Sequence, residues 1–168
     1  MPKRDSTSTA MTEKTERSKI LVLGGNGIVG NAICRRLRKD YQVVSPTSAE
    51  LNLTNFEHTL QFFSDVRPDI VINAAGRVGG IGFNANDNFG QYHANALIGL
   101  SIAAASRSYP PDQMLNLSSS CVYPLSAPRP ISEESMIGGD FEPTNSGYAL
   151  AKFTVSEALK LLEQQTDI

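Results

Sequence analysis

The sequence is poor in cysteine, in net charge and in long apolar runs. Cys34 and Cys121 are its only two cysteines in 168 residues. They fall in different expected elements, which excludes a disulfide framework and a cysteine metal site and favours a reducing, cytoplasmic setting. The formal net charge is −2, which gives no electrostatic case for nucleic acid. No apolar run approaches the roughly 20 residues that a membrane span needs. The two histidines, His58 and His93, lie on expected helices without metal-ligand spacing and read as surface residues. There is no internal repeat. What is present is a chain with 40% apolar residues, long enough for one domain with a real core.

Residues 1–18 are polar and rich in Ser, Thr, Lys and Glu, and are expected to form a disordered tail. Asp5, Glu13 and Glu16 are out of place in a transit peptide. The domain is expected over residues 19–168. It is organised around Lys19 to Gly30, K-I-L-V-L-G-G-N-G-I-V-G. The apolar run Ile20 to Leu23 ends in Gly24, Asn26, Gly27 and Gly30, and a helical pattern through Ile28, Val29 and Ile33 follows. Strand, glycine turn and helix together form the context of a dinucleotide site. Gly24 permits a backbone angle closed to other residues, Gly27 leaves no Cβ against a pyrophosphate, and Gly30 lets helix and strand pack closely. The helix N-terminus then faces the phosphates.

Further strands are expected at Tyr41 to Ser45, Asp69 to Ala74 and Met114 to Ser118. They alternate with helices from Asn26 to Lys39, from Thr54 to Pro68, from Asn86 to Arg107 and from Asn145 onward. Thr54 and Glu57 read as a capping box for the second helix. The alternation predicts an α/β fold, a doubly wound parallel sheet of the Rossmann kind, with ligands at the carboxyl ends of the strands. Asn52-Leu53 falls where such folds pass beneath an adenine. Ala74-Ala75-Gly76 supplies small residues at a strand end. After the second strand stand Ser45, Pro46, Thr47 and Ser48, with neither the acid of NAD-preferring sheets nor the Arg of NADP-preferring ones. The sequence therefore does not choose between NADP(H) and NAD(H).

The fourth strand ends in Ser118-Ser119-Ser120-Cys121, and Tyr148 and Lys152 share one face of the last helix. An ammonium near a tyrosine is expected to lower its pKa, so that the phenol exchanges a proton with a carbonyl or alcohol oxygen. A serine hydroxyl at the strand end can bond that same oxygen. Cys121 reads either as an acid–base group or as a small buried hydrophobe.

Four longer stretches are more specific: V-G-G-I-G-F-N (Val78 to Asn84), S-S-C-V-Y-P (Ser119 to Pro124), R-P-I-S-E-E (Arg129 to Glu134) and E-P-T-N-S-G-Y-A-L-A-K (Glu142 to Lys152). With the G-x-x-G-x-x-G loop they resemble the GDP-L-fucose synthases, extended short-chain dehydrogenases. The resemblance covers about Ile20 to Glu163. It implies epimerisation of GDP-4-keto-6-deoxy-D-mannose at C3 and C5, then reduction at C4 with NADPH. It implies that Tyr148 is the acid and that Lys152 tunes it and holds the nicotinamide ribose. It implies that Ser119 bonds the sugar oxygen, that Cys121 is an epimerisation acid or base, and that Asn95 is a cofactor-side asparagine. It also implies a homodimer through a four-helix bundle of the last two long helices. The family's basic residue in the glycine loop is replaced by Asn26. Its second catalytic acid, a histidine further along, and its GDP-holding half have no counterpart in these residues, so the domain is expected to be truncated and inactive alone. Another nucleotide-sugar epimerase or dehydratase, or a non-catalytic fragment, is the alternative.

Overall fold

A computed structural model describes residues 18–136, 139–166 and 168. All of the expected tail but Ser18 lies outside the described residues. The elements run β1 (Lys19–Leu23), α1 (Ile28–Leu37), β2 (Gln42–Val44), α2 (Phe56–Val66), β3 (Ile70–Asn73), α3 (Ile81–Asn86), α4 (Asn88–Ser108), β4 (Gln113–Asn116) and α5 (Ser146–Glu163). The four strands form one sheet in the order β2-β1-β3-β4, and every pair is parallel. This is the doubly wound sheet that the alternation predicts.

Side chains of a strand alternate between the two faces of the sheet, and β1 uses both. Leu21 and Leu23 pack on one side with Val71 of β3, Phe63 of α2, and Ile102 and Ala105 of α4. Ile20 and Val22 pack on the other with Ile72 and with Cys34 of α1. A strand buried on both faces needs a continuous apolar run, which Ile20 to Leu23 supplies. Each fully buried leucine or phenylalanine contributes roughly 2 kcal/mol. At the open end of the sheet Asn73 is buried, donating to Asn116 Oδ1 at 2.8 Å and accepting from the Ala75 N–H at 3.0 Å. It ties the end of β3 to the end of β4 and fixes the loop that begins at Ala74.

Three local expectations are corrected. Thr54 does not cap α2. Asn55 does, its Oδ1 accepting from the His58 N–H at 3.0 Å, while the Thr54 hydroxyl donates to Asn52 Oδ1 at 2.7 Å. Asparagine is the better cap, and it stands one residue nearer the helix. The long helix expected from Asn86 starts at Asn88, where the Asp87 carboxylate accepts from the Gly90 N–H at 3.1 Å, and the short α3 that precedes it is not among the expected elements. β4 ends at Asn116, two residues early. Helices α4 and α5 lie against each other without room for a side chain. A Cβ on Gly99 would overlap Val155, and one on Gly147 would overlap the carbonyl of Asn88.

Candidate active site

The glycine bend has the geometry its spacing calls for. Gly24 sits at φ +80°, and a Cβ there would lie 2.6 Å from the Ala74 carbonyl oxygen. The Gly27 N–H closes the bend onto Gly24 O at 3.0 Å. Gly30 is buried against Gly24, where any Cβ would overlap the carbonyl. Gly27 is the N-cap of α1 and brings no side chain to it, and the first turn holds no acid. The leading N–H groups are thus left facing outward with the positive end of the helix dipole.

From this bend a groove of about 380 Å³ runs along the strand ends. Gly24, Asn26 and Gly27 line it, with Pro46, Thr47 and Ser48 after β2, Asn52 and Leu53 before α2, and Ala74, Ala75 and Gly76 after β3. Ile28 and Val29, also expected at the cofactor, open α1 and are exposed. Two further expected residues hold the far end. Asn95 is buried on α4. Its Oδ1 accepts from the Arg77 N–H at 2.9 Å, and its Nδ2 donates to Arg77 O at 3.0 Å and Gln91 O at 2.8 Å. It shapes the wall at Gly76, where an added Cβ would lie 3.1 Å from its Oδ1 and 3.7 Å from Lys152 Nζ. Arg77, which sequence reading passes over, also lines the groove, pairs with Asp87 at 3.1 Å and lies over the Phe83 ring.

The cradle fits a dinucleotide: a left-handed glycine, an uncapped helix start and a run of small residues that side chains would fill. At its far end Lys152 is buried and donates from Nζ to Leu117 O at 3.1 Å. Leu117 leads into Ser119, whose Oγ accepts from the Cys121 N–H at 3.3 Å and starts a 3-10 turn over Ser120–Val122. Tyr148 lies near enough for both the Ser119 hydroxyl and Cys121 to act on its titration.

The expected lowering of the Tyr148 pKa is reversed. Burial raises it above the ordinary 10.0, the negative form of Cys121 adds to the rise, and the Ser119 hydroxyl opposes it. The ammonium of Lys152 lies 5.8 Å from the centre of the tyrosine ring and is directed to Leu117 instead. Burial lowers the pKa of Lys152 itself. A phenol that keeps its proton at neutral pH is a ready acid. Beside it a second cavity, of about 290 Å³, is lined by Cys121, Tyr123, Arg129, Glu142 and Asn145 among others. His58 and His93 are exposed and line neither cavity, although His58 Nδ1 accepts from the N–H of the groove residue Asn52 at 3.4 Å. Among the described residues no group of three or more His, Cys, Asp or Glu could hold a metal, and no helix is long and apolar enough to cross a membrane.

A glycine bend under a free helix start, ending at a serine, a protonated tyrosine and a lysine, is the arrangement of a Rossmann-type oxidoreductase acting on a carbonyl or alcohol. The chain belongs to the NAD dependent epimerase/dehydratase family, which it matches over residues 20–168. It is 41% identical over 135 residues to the GDP-L-fucose synthase of Azorhizobium caulinodans, which covers 80% of this chain and 43% of that protein. It is 36% identical over 149 residues to the GDP-L-fucose synthase of Escherichia coli, covering 88% and 46%. Among solved structures, a GDP-L-fucose synthetase from Naegleria fowleri bound to NADP superimposes with a TM-score of 0.82 at 27% identity, over 90% of this chain and 49% of that one. The chain thus spans about half the length of the relatives it matches.

Proposed function

We propose that residues 19–168 are the cofactor-binding and Ser-Tyr-Lys half of a GDP-L-fucose synthase-like enzyme converting GDP-4-keto-6-deoxy-D-mannose to GDP-L-fucose. The observation that carries this reading is a Tyr148 phenol kept protonated by burial and by Cys121, opposed by the Ser119 hydroxyl, with the Lys152 ammonium 5.8 Å from its ring centre. NADP(H) is the cofactor in this reading, ahead of NAD(H), and it would supply the hydride for C4 when bound. The bend from Gly24 to Gly30 holds the pyrophosphate, with Asn26, Ile28 and Val29 around it. Asn52 and Leu53, which line the groove before α2, would hold the adenine side of the cofactor. Ala74, Ala75 and Gly76, braced by Asn95, let the backbone come close, and Lys152 holds the nicotinamide ribose.

The chain's own groups then handle the sugar. The 4-keto group acidifies its neighbours C3 and C5, and Cys121 removes or returns a proton there. Ser119 donates a hydrogen bond to the C4 oxygen and orients it. Tyr148 gives that oxygen its proton during reduction. Cys34 is buried and Cys121 half-buried, and both are free thiols, which suits a cytoplasmic setting. A homodimer through a bundle of α4 and α5 is part of the reading. Phe89 and Leu100 on α4, and Leu150 and Leu161 on α5, are exposed apolar residues, each pair three turns apart on one helix face.

The test is conversion of GDP-4-keto-6-deoxy-D-mannose by the complete enzyme carrying this half, followed by chromatography of the nucleotide sugar. GDP-L-fucose is the expected product. A reduced sugar with unchanged configuration at C3 or C5 would instead assign a GDP-sugar reductase that does not epimerise at that carbon.

A further inference from the structure

The sulfur of Cys121 is not alone in its pocket. The Asn145 side chain, at the entry to α5, donates from Nδ2 to Cys121 Sγ at 2.8 Å. Its other end, Oδ1, accepts from Asn84 Nδ2 at 2.8 Å. Asn84 belongs to α3, is 7% exposed, and its own Oδ1 is buried without a hydrogen-bond partner among the described residues. A carboxamide has a donor edge and an acceptor edge, and which faces a neighbour is decided by what holds the other. With Asn84 holding the oxygen, Asn145 must turn its N–H edge to the sulfur. A donor aimed at sulfur stabilises the thiolate more than the thiol, because a hydrogen bond to a charged acceptor is the stronger one. Leaving one oxygen of Asn84 orphaned in a buried place is costly. A purely packing role would be better filled by leucine. The orphan is explained if the other half of the same amide has work to do on Asn145.

We infer that Asn84 is a positioning residue for Cys121: through Asn145 it keeps an N–H aimed at the sulfur and so favours its deprotonated form. This rests on the reading of Cys121 as an acid–base group. The chain from α3 through Asn145 to the 3-10 turn joins three segments far apart in sequence, and none of Asn84, Asn145 and Cys121 lines the cofactor groove. Its direct effect is on the thiol, and because the negative form of Cys121 raises the Tyr148 pKa, a favoured thiolate also helps to keep the phenol protonated. α3 itself carries no titratable side chain. The titratable and charged groups around the sulfur are Tyr148 on α5 and, along the neighbouring cavity, Tyr123, Arg129 and Glu142. These remain in place in every variant below.

The experiment follows alkylation of Cys121 by iodoacetamide in the 168-residue chain from pH 6 to pH 10, read by peptide mass spectrometry, which separates it from buried Cys34. In Asn84→Ala the rate at pH 7 is expected to fall about three- to tenfold, the midpoint of the pH profile to move up, and the high-pH plateau to stay as in the parent. The plateau reports access and the midpoint reports the thiolate, so a structural role alone would move the first. An unchanged midpoint overturns the inference, whatever the plateau does. Should Asn84→Ala fail to fold, Asn84→Asp keeps the shape. Its carboxylate draws the Asn145 N–H edge to itself and turns the carbonyl toward sulfur, so the midpoint must rise further, and an unmoved one again refutes. Alkylation needs no sugar. If Cys121→Ser in the complete enzyme still epimerised, the acid–base reading would fall while the Asn84 result stood.

Discussion

Replacing Gly147 by alanine tests whether the close approach of α4 and α5 sets the site. Gly147 lies one residue before Tyr148 and two after Asn145. Its N–H donates to Asn88 Oδ1 at 2.8 Å. A Cβ at this position would overlap the Asn88 carbonyl oxygen and stand 2.8 Å from the carbonyl carbon. The obstructing atoms are backbone at the start of a 21-residue helix, so they cannot swing aside as a side chain would. Two effects compete. Alanine is the better helix former, by at most about 1 kcal/mol, and less in a first turn. Overpacking costs about 1–3 kcal/mol, and separating the helices also sacrifices the Asn88 hydrogen bond, about 1 kcal/mol more. The overlap wins, and a net loss of about 1–3 kcal/mol is expected in urea unfolding of the chain. In the complete enzyme Tyr148 and Asn145 would be displaced by about 1 Å, enough to lower kcat on the order of 100-fold. A variant with the parent's urea midpoint and the parent's kcat would refute the claim that this contact positions the tyrosine.

Ser48→Arg places a guanidinium where Pro46, Thr47 and Ser48 now offer no charge at the groove. NADPH affinity should rise about tenfold with NADH affinity changed by less than about twofold, by calorimetry on the chain. Gly24→Ala forces a side chain to φ +80° and into the Ala74 carbonyl, and should cost about 2–4 kcal/mol in urea unfolding. Tyr148 keeps its proton above pH 10.0, where the unfolded chain loses it. The native state then binds more protons than the unfolded one, so stability present below pH 10 is lost as pH rises through the folded value. Lys152 is shifted the opposite way, below 10.5, and gives a rise over the window beneath that value. Urea midpoints of Tyr148→Phe between pH 9 and 11 should therefore lack the alkaline fall and keep the rise.

The sheet, its order of elements and the groove were legible because they depend on local signals: an apolar run, a glycine spacing, an alternation of periods. Ile20 to Leu23 is a continuous apolar run that marks a strand whatever its partners, and its burial on both faces becomes visible only in the packing. Tyr148 and Lys152 were legible as neighbours because one helical turn fixes them. What their environment does to them was not. The direction of the Tyr148 shift depends on burial and on Cys121, twenty-seven positions earlier in the chain, and the Lys152 ammonium is claimed by a carbonyl of another segment. Asn95 could be placed on its helix, but not its grip on Arg77. Asn84 carried no signal at all beyond its motif, since its meaning lies in a hydrogen bond to Asn145, sixty-one residues away. The cap at Asn55 follows cap preference, because asparagine outranks the Thr54 before it, whereas Asp87 stands between two asparagines that cap equally well, so local preference does not choose the start of α4.

The most direct measurement pairs two readouts on Tyr148→Phe in the complete enzyme: single-turnover reduction of the 4-keto sugar, and cofactor affinity. The hydroxyl is the only group removed, and the groove from Gly24 to Gly76 does not use it. The account predicts a fall in the reduction rate of about 100- to 10,000-fold, with the cofactor Kd within about twofold of the parent. A near-parental rate, or a Kd that collapses along with it, would mean that the phenol braces the fold and that the proton comes from elsewhere.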